Sequence, residues 1–218
     1  MRFTDPIVIA VFVLGAESAY AAGPVSEPTG AYVGGSLGGS SASLNSASTV
    51  YPNTLSDPYV ERRKGGVAWQ LNVGYRFNKY LAVEAGGGVL GQFSVIDSVG
   101  PDSIENRLKA DDLKLDLIGH LPLSDRFDLS AGVGVARVYT RSEAILSGST
   151  SLPAGEASEH SLMQSVLHER VGVEYALTNQ WSLKLDFEHY GHLDAGATSQ
   201  TTGISAINTL SVGGDYHF

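Results

Sequence analysis

Glu188, His189, His192 and Asp194 bring two imidazoles and two carboxylates close together, the residue types of general acid–base work. Such a group becomes catalytic only when a nucleophile lies within hydrogen-bond reach of the base. Two residues after His189, where an extended chain returns to the same face, stands Gly191, which has no hydroxyl to offer. Ser199 and Ser205 follow in a polar stretch where nothing fixes their geometry. His189 and His192 are therefore read as the polar rim where a strand becomes a loop. No catalytic residue is assigned, and the expectation is a protein that is not an enzyme. Glu156, Glu159 and His160 are metal-ligand types, but their spacing sets no coordination geometry. No metal and no cofactor are expected. Glu61-Arg62-Arg63-Lys64 is a short basic cluster suited to phosphate or sulfate oxyanions. It reads better as a solvated strand end.

A second set of charges is distributed along the chain. Arg76, Glu84, Lys114, Asp116, Glu174, Lys184 and Asp186 each sit between apolar neighbours, and Arg170 precedes the apolar Val171. The elements holding them are strands of period two. Val67, Trp69, Leu71, Val73, Tyr75 and Phe77 share one face, while Ala68, Gln70, Asn72, Gly74 and Arg76 share the other. Leu113, Leu115, Leu117 and Leu121 alternate with Asp112, Lys114, Asp116 and His120; Phe127 to Val135 repeats the pattern. Val171, Val173 and Tyr175 then alternate with Arg170, Gly172 and Glu174, and Trp181 to Phe187 with Ser182, Lys184, Asp186 and Glu188. Leu210, Val212, Tyr216 and Phe218 oppose Ser211, Gly213, Asp215 and His217, on a strand that ends with the chain. With residues 31–40 as the first strand and 81–89 following the turn after Phe77, these make eight.

Apolar faces of this length in a Gly-rich chain, with 26 glycines, suit a wall that touches hydrocarbon on one side and a polar interior on the other. Connections near Asn78, at 122–125 and at 178–180 are short. Those at 41–65, 92–106, 141–163 and 192–205 read as long polar loops. That asymmetry is the topology of an outer-membrane barrel, whose long loops lie outside the cell. Trp69, Trp181, Tyr75, Tyr80, Tyr175 and Tyr216 fall mostly near strand ends, where an aromatic girdle belongs. Arg2, an apolar run over 7–14 and Ala19-Tyr20-Ala21 predict a cleaved export signal at 1–21 and a barrel domain at 22–218. No cysteine is present, which excludes thiol chemistry, and a net charge of −9 disfavours nucleic acid. Eight strands leave an interior that side chains can fill, and charges of both signs enclosed there must pair.

At these residues the chain resembles the transmembrane domain of the outer membrane protein A family. Residues 171–178 and 183–187 are similar to that family's sixth and seventh strands, and 74–77 with 81–84 to its second and third. The resemblance implies a lumenal gate of two acids and two bases, with Glu84, Glu174 and Lys184 at three of the positions. The fourth falls at Ile118, so Lys114 is expected to substitute. Members with a C-terminal peptidoglycan-binding domain are known; ending with its barrel, this chain looks like the stand-alone small ones. Related barrels that deacylate lipid A use a His-x-Ser pair, which Gly191 breaks.

The expected fold is all-β: an eight-stranded antiparallel up-and-down transmembrane β-barrel of the bacterial outer membrane. The expected function is structural, supporting the envelope and displaying surface loops for adhesion or ligand contact. The alternatives are a narrow channel through the lumen and a lipid A-modifying enzyme. Expected partners are outer-membrane lipid and lipopolysaccharide, the barrel-assembly machinery reading Tyr216 and Phe218 on the last strand, and a host or surface ligand at the loops.

Overall fold

The computed structural model describes residues 29–44, 59–63, 65–99, 102–147, 159–191, 193 and 204–218. The signal segment 1–21 and Lys64, Glu156, His192, Asp194 and Ser199 lie outside them. The described strands are β1 (Gly30–Leu44), β2 (Tyr59–Arg63), β3 (Gly65–Asn78), β4 (Leu81–Val99), β5 (Asp102–Pro122), β6 (Phe127–Ser147), β7 (Glu159–Ala176), β8 (Trp181–Gly191) and β9 (Ile204–His217). The short β2 and the longer β3 both pair antiparallel with β4, so together they serve as one staff of the barrel. Each remaining strand pairs with its sequence neighbour; β9 returns to β1 and β4 joins β5, closing an eight-staved ring. Around the lower part of the barrel closure pairs each stave on both sides and leaves no edge, the condition for crossing hydrocarbon with strands.

Tight turns gather at one end. Asn78 Oδ1 accepts from Tyr80 N at 2.8 Å, and Leu123 N and Leu177 N donate to Phe127 O and Trp181 O at 2.8 and 2.9 Å. Aromatic rings ring this end, with Trp181 against Tyr216 at 5.0 Å and Phe127 against Tyr175 at 6.2 Å. Above them the outer wall is apolar: Leu113, Leu115 and Leu117 are 68%, 59% and 51% exposed. Val73, Leu185 and Val212 lie on the same outer surface. A continuous apolar surface of that extent is a lipid contact.

The other end departs from the sequence expectation. The segment 92–106 was expected as a long loop; instead β4 and β5 stay paired out to Val99 and Asp102. Likewise β1 reaches Leu44, β2 occupies 59–63, and β6 and β7 extend to Ser147 and from Glu159. The reason is a reversal of hydrophobic phase. On β5 within the membrane, Leu113, Leu115 and Leu117 face out. Higher up, Leu108 and Ala110 are buried inside while Lys109 and Asp111 are exposed. On β6, Ala136 and Val138 are buried inside while Arg137 and Arg141 are exposed outside. Once the surrounding solvent is water, the stable arrangement puts apolar side chains in the lumen. A search for membrane-type alternation sees only a polar stretch there.

β4 makes the change with a bulge. Its register with β5 shifts between Val89 and Gly91, and Gly91 has φ +135°, a conformation that side-chain-bearing residues rarely adopt. Inward residues before the bulge are Ala82, Glu84 and Leu90; beyond it Phe93 points in.

Candidate functional site: the lumenal charge network

Inward parity on eight staves brings all eight of the charges singled out above into the lumen. There they meet partners on other strands. From the tight-turn end the lumen has three polar layers and an apolar one.

At the mouth, Arg76 pairs closely with Asp128 and lies 3.8 Å from Glu174. His120 Nδ1 is 3.1 Å from Asp128, and His217 Nε2 is 3.4 Å from Glu174. In the middle layer Arg170 forks between Glu84 at 2.7 Å and Asp186 at 3.0 Å. Glu84 also accepts from the Tyr32 hydroxyl at 3.0 Å and Asn72 at 3.2 Å. Lys184 donates to Asp215 at 2.8 Å and to Asn72 at 3.0 Å. In the third layer Lys114 pairs with Glu188 and donates to Gln70 at 2.6 Å. Gln70 and Thr209 also donate to Glu188, each at 2.9 Å. His168 meets Asp116 at 2.7 Å, and the Tyr190 hydroxyl donates to Asp112 at 3.0 Å. The walls exclude bulk water, so each ion pair holds a charge that would be costly alone.

Above this layer Leu90, Phe93, Leu108, Ala110, Ala136, Val138, Val166 and Ile207 form one buried apolar cluster that also includes the Tyr190 ring. Below it a cavity of about 20 Å³ lies among Tyr32, Glu84, Arg170, Glu174, Lys184 and their neighbours, space for roughly one water.

Glycines make room for these charges. A Cβ added at Gly34 would lie 1.7 Å from Asp215 Oδ1, at Gly134 2.1 Å from Asp116 Oδ1, and at Gly172 2.2 Å from Asp186 Oδ1. At Gly74 it would strike the Tyr32 ring at 2.1 Å. Within the bore, then, a large polar side chain on one stave faces a glycine on the next.

The profile of the family described as "Outer membrane protein beta-barrel domain" matches residues 7–218. The chain belongs to that family. Outer membrane protein A of Serratia marcescens is 32% identical over 148 residues, a match covering 67% of this chain and 38% of that protein. The chain thus spans about two-fifths of the length of this relative. Among solved structures, the outer membrane protein OprG of Pseudomonas aeruginosa superposes with a TM-score of 0.56 at 13% identity, covering 88% of this chain and 97% of that one. Neisserial surface protein A does so at 0.54 and 15% identity, covering 88% and 100%. At those identities the likeness concerns the fold, and the fold is that of an outer-membrane barrel. The protein is accordingly one of the bacterial outer membrane, surrounded by its lipid and lipopolysaccharide.

Within this family fold the gate implied by the resemblance to outer membrane protein A is rewired. Lys114 does not take up the place opened at Ile118. It lies one layer higher, on Glu188, and Ile118 is buried between the mouth and the middle layer. The cation on Glu84 is Arg170, while Lys184 goes to Asp215 and Glu174 to His217 and Arg76. The shift follows from geometry: residues 114 and 118 share a face but sit two inward positions apart along the strand. Sequence reasoning did not single out Asp128, His168, Glu188, Tyr190, Asp215 or His217 as network members. Inward parity marked most of them, but pairing between strands distant in sequence cannot be read from parity.

Of the two rim histidines, the described one, His189, points elsewhere. His189 shares the outward parity of Leu185 and Phe187, and its Nδ1 is 2.7 Å from Asn208 Oδ1. His120, Asp128 and Glu174 offer ligand-type atoms within 4.8 Å of one another. Arg76 already occupies that cluster as its cation.

Proposed function

We propose that this protein is a sealed, structural barrel that supports the envelope and holds β-hairpins above the outer leaflet as a surface for adhesion or ligand contact. The observation carrying this reading is the succession of a packed apolar layer over three ion-paired layers in one bore. Leu90, Phe93, Ala110, Ala136 and Tyr190 are fully buried within that layer. An ion crossing it would be stripped of water in an apolar constriction, then have to break buried ion pairs. The length of β5 and β6, each 21 residues, supports the display role. A tilted strand crosses the bilayer in about 9–11 residues, so roughly half of each hairpin stands clear of lipid. Recognition of Tyr216 and Phe218 by the assembly machinery belongs to the same proposal.

Planar-bilayer recording tests the seal. Purified wild-type protein should give no steady current, and Phe93→Ala combined with Tyr190→Ala should open one. A wild-type current that changes with Glu84→Gln or Lys184→Gln would make the protein a channel and overturn this reading.

A further inference from the structure

One acid stands on the lipid side of the wall. Glu169 on β7 is exposed and has the outward parity of Val171 and Leu167, which are 56% and 53% exposed. It lies six residues along β7 from Tyr175 of the aromatic girdle. At about 3.3 Å per residue and a tilt near 40°, that places it roughly 15 Å up an apolar band about 25 Å tall. The headgroups are then roughly 10 Å away, beyond the reach of a glutamate side chain. Among the described residues, Glu169 is the one charged side chain on the outer wall between the girdle and the level at which the hydrophobic phase reverses. No hydrogen bond or ion pair to its carboxylate is formed among them. An ionisable group that faces hydrocarbon without a partner is costly, and where one is retained it marks a contact.

The strand register sets polar groups beside it. Glu169 is directly opposite His189 on β8, His189 opposite Asn208 on β9, and Asn208 opposite Ser41 on β1. All four have outward parity. His189 Nδ1 donates to Asn208 Oδ1 at 2.7 Å, which anchors the ring to β9 and leaves Glu169 unpaired. Among the described residues His189 Nε2 has no hydrogen-bond partner. The next outward residue, Gly191, has no side chain to cover it; a Cβ there would lie 3.1 Å from Nε2. The outer wall of β7 and β8 thus carries one unpaired carboxyl group and one unpaired imidazole nitrogen in the same row. Their surroundings on those strands are Val171, Leu185 and Phe187, all exposed.

We infer that this face of β7–β8 is the contact between two copies of the barrel in the membrane, with Glu169 of each copy bonded to His189 of the other. The occupant follows from symmetry and charge. A two-fold axis along the membrane normal keeps both copies upright and at the same depth, and it sets β7 of one against β8 of the other. Residues of one row then meet in exchange, Glu169 with His189 and His189 with Glu169, the self-complementary pattern of an isologous interface. A carboxyl group and an imidazole share one proton between Oε and Nε2 in either charge state, so no unmatched charge is buried. Lipid tails are as apolar as Val171 and Phe187, so packing of those residues gives little preference for a protein neighbour, and the two polar contacts supply it. The contact rests on the membrane location of the barrel and does not depend on a sealed lumen.

The chain has no cysteine, so Asn179→Cys in the exposed β7–β8 turn gives a single labelling position. Donor- and acceptor-labelled barrels of the full chain are refolded together in phospholipid vesicles, and energy transfer is followed as lipid is added. Glu169→His and His189→Glu should each weaken association roughly a hundredfold, about tenfold for each of the two symmetric contacts. Combining the two substitutions exchanges the partners and should restore association, which a merely structural role for either residue would not do. Glu169→Leu, whose side chain suits hydrocarbon, should also dissociate while keeping the heat-modifiable gel migration of a folded barrel. Wild-type transfer that falls on dilution as steeply as that of Glu169→Leu would overturn the inference. So would a folded double-exchange variant that stays dissociated. Photo-crosslinking from position 171 in intact cells should join two copies, and adducts formed with a different protein alone would overturn the assignment of a second copy.

Discussion

Replacing Arg170 by methionine would test whether the lumen holds its charges as a dry network. Arg170 is bonded to Glu84 at 2.7 Å and to Asp186 at 3.0 Å, with about 6% of its side chain exposed. Methionine keeps much of the length and apolar stem but removes the charge, leaving two buried carboxylates without their cation. Removing one partner of a buried pair costs about 3–5 kcal/mol. The two acids do not suffer equally. Glu84 keeps the Tyr32 hydroxyl and the Asn72 amide, whereas Asp186 loses the hydrogen bond that Arg170 donates to it. The adjoining cavity also admits roughly one water. Those two facts hold the total near the cost of one broken pair, about 4 kcal/mol, rather than twice that. The assay is urea unfolding in lipid vesicles, followed by fluorescence of Trp69 and Trp181, which are 45% and 52% exposed on the lipid side. Adding Asp186→Asn to Arg170→Met should restore about half of the loss, because the group left unpaired is then neutral. A cost below about 1 kcal/mol, the range of solvated surface pairs, would refute the reasoning by showing that the bore is hydrated.

Other perturbations separate the regions of the wall. Leu115→Arg at mid-depth should cost about 2–4 kcal/mol in the same vesicle assay; no effect would place Leu115 away from lipid. Leu108→Ala should cost about 2–5 kcal/mol because Leu108 is packed within the upper bore, whereas a residue in a solvated loop would lose almost nothing. Gly134→Val should abolish the heat-modifiable form, since its Cβ would lie 2.1 Å from both Asp116 Oδ1 and the Leu115 carbonyl. Recovery of a normally migrating barrel would mean that β5 and β6 can separate there. Lipid A extracted from cells expressing wild type and His189→Ala should give the same mass spectrum, and a difference would reopen the enzymatic reading.

The residue pattern alone determined the membrane-spanning half of this protein. Val67 to Phe77 and Leu113 to Leu121 alternate so regularly because each side chain meets either hydrocarbon or a polar bore. The same parity placed Arg76, Glu84, Lys114, Asp116, Arg170, Glu174, Lys184 and Asp186 on one surface. It could not pair them. Which acid meets which cation depends on stagger between staves, and that stagger sent Lys114 to Glu188 and gave Glu84 to Arg170. Nor could alternation reveal the upper bore. Leu108, Ala110, Ala136 and Val138 keep the parity of the charged residues below them, yet they are inside because the outside has changed from lipid to water. The pattern records only that neighbouring side chains face opposite ways. Closure of the barrel, and where the membrane stops along it, decide which way is in.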